Sequence, residues 1–270
     1  MISLTKDNRM LGYESLDSCP DIFHFVTTRK GGSGQAKYST FNCSPYCGDD
    51  PAVVAHNQHL LLEALPSDTR LIIPVQTHST ECLLIDHTFL QSTLEEQSRL
   101  LQGVDALITS QSGCCICIST ADCIPVLLYD QKNQVVAAIH AGWRGTVDFI
   151  VRKTIEQMKS TFGTVGADVI ASIGPGISID SFEIGDEVYE AFRRNHFDMS
   201  RISVFKKDTG KHHIDLWEAN RQQLLDFGVP ASQIELAGIC TYIHHDQFFS
   251  ARRLGIKSGR ILSGIGLNAK

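Results

Sequence analysis

Four apolar runs, VDALITS (104–110), CCICIST (114–120), IPVLLYD (124–130) and QVVAAIH (134–140), follow one another with short polar or glycine-bearing breaks. Runs this short, bounded by turn residues, predict β-strands joined as hairpins rather than as helical crossovers. IFHFVTT (22–28), LIIPVQTH (71–78) and ADVIASIG (167–174) predict further strands, and QFFSARR (247–253) predicts a strand or extended segment. Helical spacing appears elsewhere. Residues 51–65 carry Pro51 near the start, where its missing N–H costs little. Val147, Ile150, Val151, Ile155 and Met158 recur at helical intervals after Thr146, which is placed to act as an N-cap. A polar helix is expected over 184–195, and another over 215–228, closed by Gly228. The pattern predicts an α+β fold of mixed, largely antiparallel β-sheets with flanking helices. With no repeat or linker, one domain over 1–270 is expected.

Composition narrows the partners. Hydrophobic residues make up 43% and charged residues 20%, ordinary for a globular protein, and the net charge is −6 with no basic run, which argues against nucleic acid. A local basic site can still take a small anion. The N-terminal stretch has no apolar signal core, and no apolar run approaches the roughly 20 residues that span a bilayer. The odd count of nine cysteines does not suit a closed disulfide framework. A cytoplasmic protein with free thiols is expected, away from membranes, as a monomer or small homo-oligomer.

The chemistry concentrates around VVAAIHAGWRGT (135–146), where an imidazole stands at the tip of a strand. If DQKN (130–133) closes a four-residue hairpin loop, Tyr129 faces Gln134, and in the same register Cys123 faces His140. Directly opposed residues have Cβ atoms about 4.5–5.5 Å apart, close enough for a thiolate and an imidazole to share one zinc ion. His78, at the end of LIIPVQTH, is the candidate third ligand. Three protein ligands with an open fourth position are the usual catalytic zinc arrangement. A lone histidine is more often a satisfied core or loop residue, and spacing alone says little for His78. Arg144, just before the expected helix start, is a candidate for holding phosphate. Asp105 and Asp122 flank the presumed site and could orient a histidine or move a proton. CCIC (114–117) looks metal-like, but alternation on a strand sends its members to opposite faces, so structural thiols are expected there.

Several segments together resemble the YfiH-like family, also called the laccase-domain or multicopper polyphenol oxidase family: QTHS (76–79), VDALIT (104–109), TADCIPVLLYD (120–130), AAIHAGWRGT (137–146), IGPGIS (173–178), FEIGDEV (182–188), DLWEANRQQLLDFGV (215–229) and FFSARR (248–253). TTRKGGSG (27–34) and STFN (39–42) look like its opening motif. The resemblance spans nearly the whole chain. It implies a YfiH-like fold and a zinc-dependent purine nucleoside enzyme that phosphorolyses adenosine, inosine, guanosine and methylthioadenosine and deaminates adenosine. Carried over residue by residue, the ligands are His78, Cys123 and His140, and inorganic phosphate is the co-substrate. Positive groups must hold that anion, and Arg144 and Arg29, the latter in the glycine-rich turn, are the candidates. Where the family commonly has Cys in IGPCIG, this chain has Gly176, which leaves the ligand set intact but removes any role of that thiol.

Three other readings compete. Cys123 as nucleophile with His140 as base would make a hydrolase, possible in peptidoglycan-precursor editing. A non-catalytic binding protein is a second. A copper phenol oxidase is the least favoured, because the chain has eleven histidines and no His-x-His pair to build a trinuclear cluster.

Overall fold

The computed structural model describes residues 1–269. Two six-stranded sheets carry the fold. The first runs in the order Ile2–Ser3, Met10–Gly12, Ile22–Thr27, Ile261–Leu267, Cys114–Thr120 and Arg70–Ile72. The second runs Ile234–Leu236, Val169–Ile173, Ile124–Asp130, Val135–Ala141, Ala106–Thr109 and Cys82–Ile85. Most neighbours are antiparallel, and the parallel pairs lie at sheet edges. A small three-stranded sheet of Glu183–Ile184, Lys211–Ile214 and Ser203–Lys206 stands apart.

Alternation along the central strands explains the layering. Leu127, Tyr129, Val136 and Ala138 point from the second sheet into a core shared with Val26, Ile116, Ile118 and Ile265 of the first. The intervening residues, Val126, Leu128, Ala137 and Ile139, pack instead against Ile150, Val151, Ile155 and Met158 of the helix Ile150–Phe162. Both faces of these strands are therefore buried, which is why they read as nearly continuous apolar runs. On the outer face of the first sheet, Phe25, Cys115 and Cys117 pack with Leu61 of the helix Pro51–Leu62.

The observed elements depart from expectation in four places. Of the four central runs, only Ile124–Asp130 and Val135–Ala141 form a hairpin; Ala106–Thr109 and Cys114–Thr120 belong to different sheets, so the chain crosses the core twice through turns at Gly113 and Asp122, both with positive φ. The strand expected over 71–78 is confined to Arg70–Ile72. QFFSARR contains a short helix, Ala251–Leu254, capped by the Ser250 hydroxyl, which accepts from Arg253 N. Thr146 is no N-cap: it lies inside a five-residue helix, Trp143–Val147, and the longer helix starts only after Phe149 takes a left-handed φ of 62°. No helix among the described residues is long and apolar enough to cross a membrane.

Candidate metal centre

His140 follows Val136 and Ala138 on the face turned toward the first sheet, at the open end of the space between the sheets. The hairpin places it by a register different from the one its sequence suggests. The loop is 131–134, Asp130 faces Val135, and His140 faces Pro125. Asp130 causes the shift. Its carboxylate accepts from Lys132 N at 3.1 Å, Asn133 N at 3.0 Å and Asn133 Nδ2 at 2.8 Å, so it closes the turn while remaining in the strand. A displacement of two residues keeps every side chain on its face. Cys123, one step before its strand, still meets His140.

His78, Cys123 and His140 form the one group of metal-ligating type among the described residues, with their donor atoms all within 4.8 Å of one another. His78 Nε2 lies 3.8 Å from Cys123 Sγ, and the two imidazoles meet edge to face at 4.9 Å. Donors about 2.0–2.3 Å from a tetrahedral zinc stand roughly 3.5 Å apart, so the cluster needs only a small contraction to close on an ion.

Asp105 is the keystone of this geometry. It is fully buried at the head of Ala106–Thr109. Its carboxylate accepts from Thr77 N at 3.1 Å, His78 N at 3.0 Å, Ser79 N at 2.8 Å and Ser79 Oγ at 2.8 Å, and lies 2.7 Å from His140 Nδ1. The three successive amides wrap the carboxylate and hold His78 at a φ of 62°. His78 therefore ends no strand; a carboxylate distant in sequence fixes its pose. The contact to Nδ1 assigns the proton to that nitrogen and leaves His140 Nε2 as a free donor for a metal. Burial opposes ionisation of Asp105, but the hydrogen bonds prevail and its pKa is lowered.

Electrostatics favour a thiolate. Burial raises the Cys123 thiol, yet the two imidazoles outweigh it and hold the thiol down to about 6. His140 is pushed up to about 9: burial works against its charge, and the Cys123 sulfur and Asp105 override burial. Gly142 completes the arrangement. A Cβ there would lie 2.8 Å from His78 Cδ2 and 3.1 Å from Cys123 Sγ, so the chain must pass the cluster without a side chain as it leaves the strand.

The remaining candidates lie elsewhere. Both Asp122 oxygens are engaged, by Thr241 Oγ1 at 2.7 Å and Arg252 N at 2.7 Å, which ties three chain segments behind Cys123. Arg144 is exposed and lies over the Trp143 ring, outside the residues that line the cavity. Arg29 donates from Nε to Ser39 O at 2.9 Å and from Nη1 to His245 O, and packs over Phe249, so its guanidinium holds backbone together. The ligands open onto a cavity of about 280 Å³ walled by Tyr46, Pro74, Gln76, Ile256 and Arg260. Of these, Pro74 and Gln76 belong to LIIPVQTH, and Gln76 alone to the QTHS motif; Tyr46, Ile256 and Arg260 carry no sequence signal.

A family model described as multi-copper polyphenol oxidoreductase laccase matches residues 23–268. The chain is 63% identical over 98% of both lengths to a protein of Bacteroides thetaiotaomicron named purine nucleoside phosphorylase. It is 44% identical, over 95% of this chain and 99% of the other, to adenosine deaminase RL5 from an unknown prokaryotic organism. Among solved structures, YfiH of Bacillus licheniformis superposes with a TM-score of 0.87 at 27% identity, covering 96% of this chain and 97% of that one. YlmD of Geobacillus stearothermophilus gives 0.85 at 28%, covering 93% of each. By sequence nearly end to end and by fold, the chain belongs to the multi-copper polyphenol oxidoreductase laccase family, alongside the YfiH and YlmD proteins.

Proposed function

We propose that this protein is a zinc-dependent purine nucleoside enzyme, which phosphorolyses adenosine, inosine, guanosine and methylthioadenosine and deaminates adenosine. The observation that carries this reading is the convergence of His78, Cys123 and His140 on one point at the cavity floor, with no fourth ligating residue in the group among those described. Two imidazoles and a thiolate suit a borderline-soft ion such as zinc better than magnesium or calcium. One three-residue group also fits a single ion better than a multicopper cluster. The names of the relatives point to purine nucleosides.

His78, Cys123 and His140 would hold the ion, which would supply Lewis-acid activation. The chain's own residues do the rest. Asp105 is a positioning residue that orients His140 through Nδ1 and His78 through its backbone. Asp122 is a second, tethering the turn that presents Cys123. Tyr46, Pro74 and Ile256 offer apolar walls to a planar base.

The test is chromatographic. Purified protein is incubated with adenosine, inosine and methylthioadenosine, with and without phosphate. Free base that requires phosphate, together with inosine from adenosine, supports the proposal; turnover of none of them refutes it. The depressed Cys123 thiol beside a cationic His140 also suits a cysteine hydrolase. Activity that survives complete chelation would select that second reading.

A further inference from the structure

Phosphorolysis needs a cation that accepts inorganic phosphate next to the ribose. Neither Arg29 nor Arg144 lines the cavity, and Arg260 is the one lysine or arginine that does. Its guanidinium is pinned by its own loop. Nη1 donates to Ser258 O at 2.6 Å and Gly259 O at 3.0 Å, and Nη2 donates to Ile256 O at 2.9 Å. The backbone is pinned as well, since Arg260 N donates to Asn42 Oδ1 at 3.0 Å. Three of the five guanidinium donors are thus used. Nε–H and one Nη2–H have no acceptor among the described residues, and Nε and Nη2 lie on one edge of the fork. No ion pair among the described residues includes Arg260, so no carboxylate competes with an anion at its guanidinium.

We propose that Arg260 binds inorganic phosphate through the Nε/Nη2 edge and is the residue that makes this cavity competent for phosphorolysis. This rests on the nucleoside reading above. A preoriented guanidinium fork matches two phosphate oxygens and loses little conformational freedom on binding. In the reaction, a phosphate oxygen forms the bond to C1′ as the C1′–N9 bond breaks, and its electron pair leaves with the purine. The proton of hydrogenphosphate ends on the departing base, so free base and ribose 1-phosphate balance the reactants. Deamination takes water and uses no phosphate, so it does not require this edge.

The experiment compares wild type with Arg260→Gln and Arg260→Lys. With inosine, KM for phosphate is expected to rise about tenfold or more in Arg260→Gln, as for the loss of one hydrogen bond to a charged group. Arg260→Lys, which keeps charge without the fork, is expected to fall between. Adenosine deamination, which uses no phosphate, should fall by a clearly smaller factor than phosphorolysis in both. Thermal stabilisation by added inorganic phosphate, which needs no turnover, should disappear in Arg260→Gln and weaken in Arg260→Lys. A phosphate KM within about twofold of wild type in folded Arg260→Gln overturns the assignment, and so does an equal loss of both activities, which would make Arg260 only a loop anchor. A wild type that turns over no nucleoside but loses its phosphate stabilisation on Arg260→Gln would refute the nucleoside reading and leave the anion site standing. Should Arg260→Gln not fold, an unchanged phosphate response in Arg260→Lys overturns the proposal.

Discussion

Two sulfur-bearing regions lie a few residues apart in sequence and behave in opposite ways. Cys115 and Cys117 sit on the outer face of the first sheet, with Sγ atoms 3.7 Å apart and Cys43 in the same cluster. Their neighbours are Met10, Phe25, Phe41, Leu61 and Leu262, and burial in that apolar setting raises the Cys115 and Cys43 thiols. Cys123 stands at the open end of the inter-sheet space, where two imidazoles hold its thiol down. Crowded cysteines alone therefore do not make a metal site. What distinguishes Cys123 is the pair of histidines that one carboxylate, Asp105, sets in place.

Replacing Cys123 with Ala should have the largest effect. Metal content should fall to near zero, and activity by more than about a hundredfold, beyond what loss of an outer partner causes. Retained metal and activity would erase the distinction between the two regions. Asp105→Asn should cost about 10–100-fold in metal affinity or activity, because the His140 tautomer and the Thr77–Ser79 amides lose their common acceptor. Metal titration monitored by a chromophoric competitor reads this directly; an unchanged affinity would make Asp105 purely a fold residue.

His24 sharpens the comparison from the histidine side. It is buried like His140, but its Nε2 accepts from Tyr13 N at 2.8 Å and so must stay neutral. Burial holds its pKa down to about 4, against the pull of Asp17 and Glu235. The unfolded chain protonates near 6.5, so the unfolded state takes up more protons between those values. Stability is unaffected by His24 above pH about 6.5 and falls as pH drops toward 4, by at most roughly 3 to 4 kcal/mol. Chemical denaturation across that window should show the slope in wild type and its loss in His24→Gln; an equal slope in both would place the titration elsewhere. Cys115→Ala should have the smallest effect, about 1 kcal/mol of stability for one small buried group, with metal content and turnover unchanged. A loss of metal there would contradict the division drawn above.

Much of the fold was legible because both faces of the central strands are buried and each break carries turn residues. The sheet assignment was not. Nothing in CCICIST or VDALITS says that the turn between them crosses from one sheet to the other, since that depends on which neighbours Ile261–Leu267 and Val135–Ala141 supply. The ligand trio followed from motif and strand-end position, even though the register behind it was two residues off; Asp130, serving as turn cap and strand residue at once, hid the true loop. His78 could be named but not posed, because its left-handed backbone is imposed by Asp105. Arg260 carried no local signal at all. Its place on the cavity wall arises when its loop closes over three of its own carbonyls and docks on Asn42.

The most direct measurement is metal analysis of protein purified without added metal, combined with X-ray absorption at the metal edge. The account predicts one zinc per chain, bound by two nitrogen donors and one sulfur with a light, exchangeable fourth ligand, and no zinc in Cys123→Ala. Several coppers per chain, or a fourth protein donor filling the coordination sphere, would contradict it.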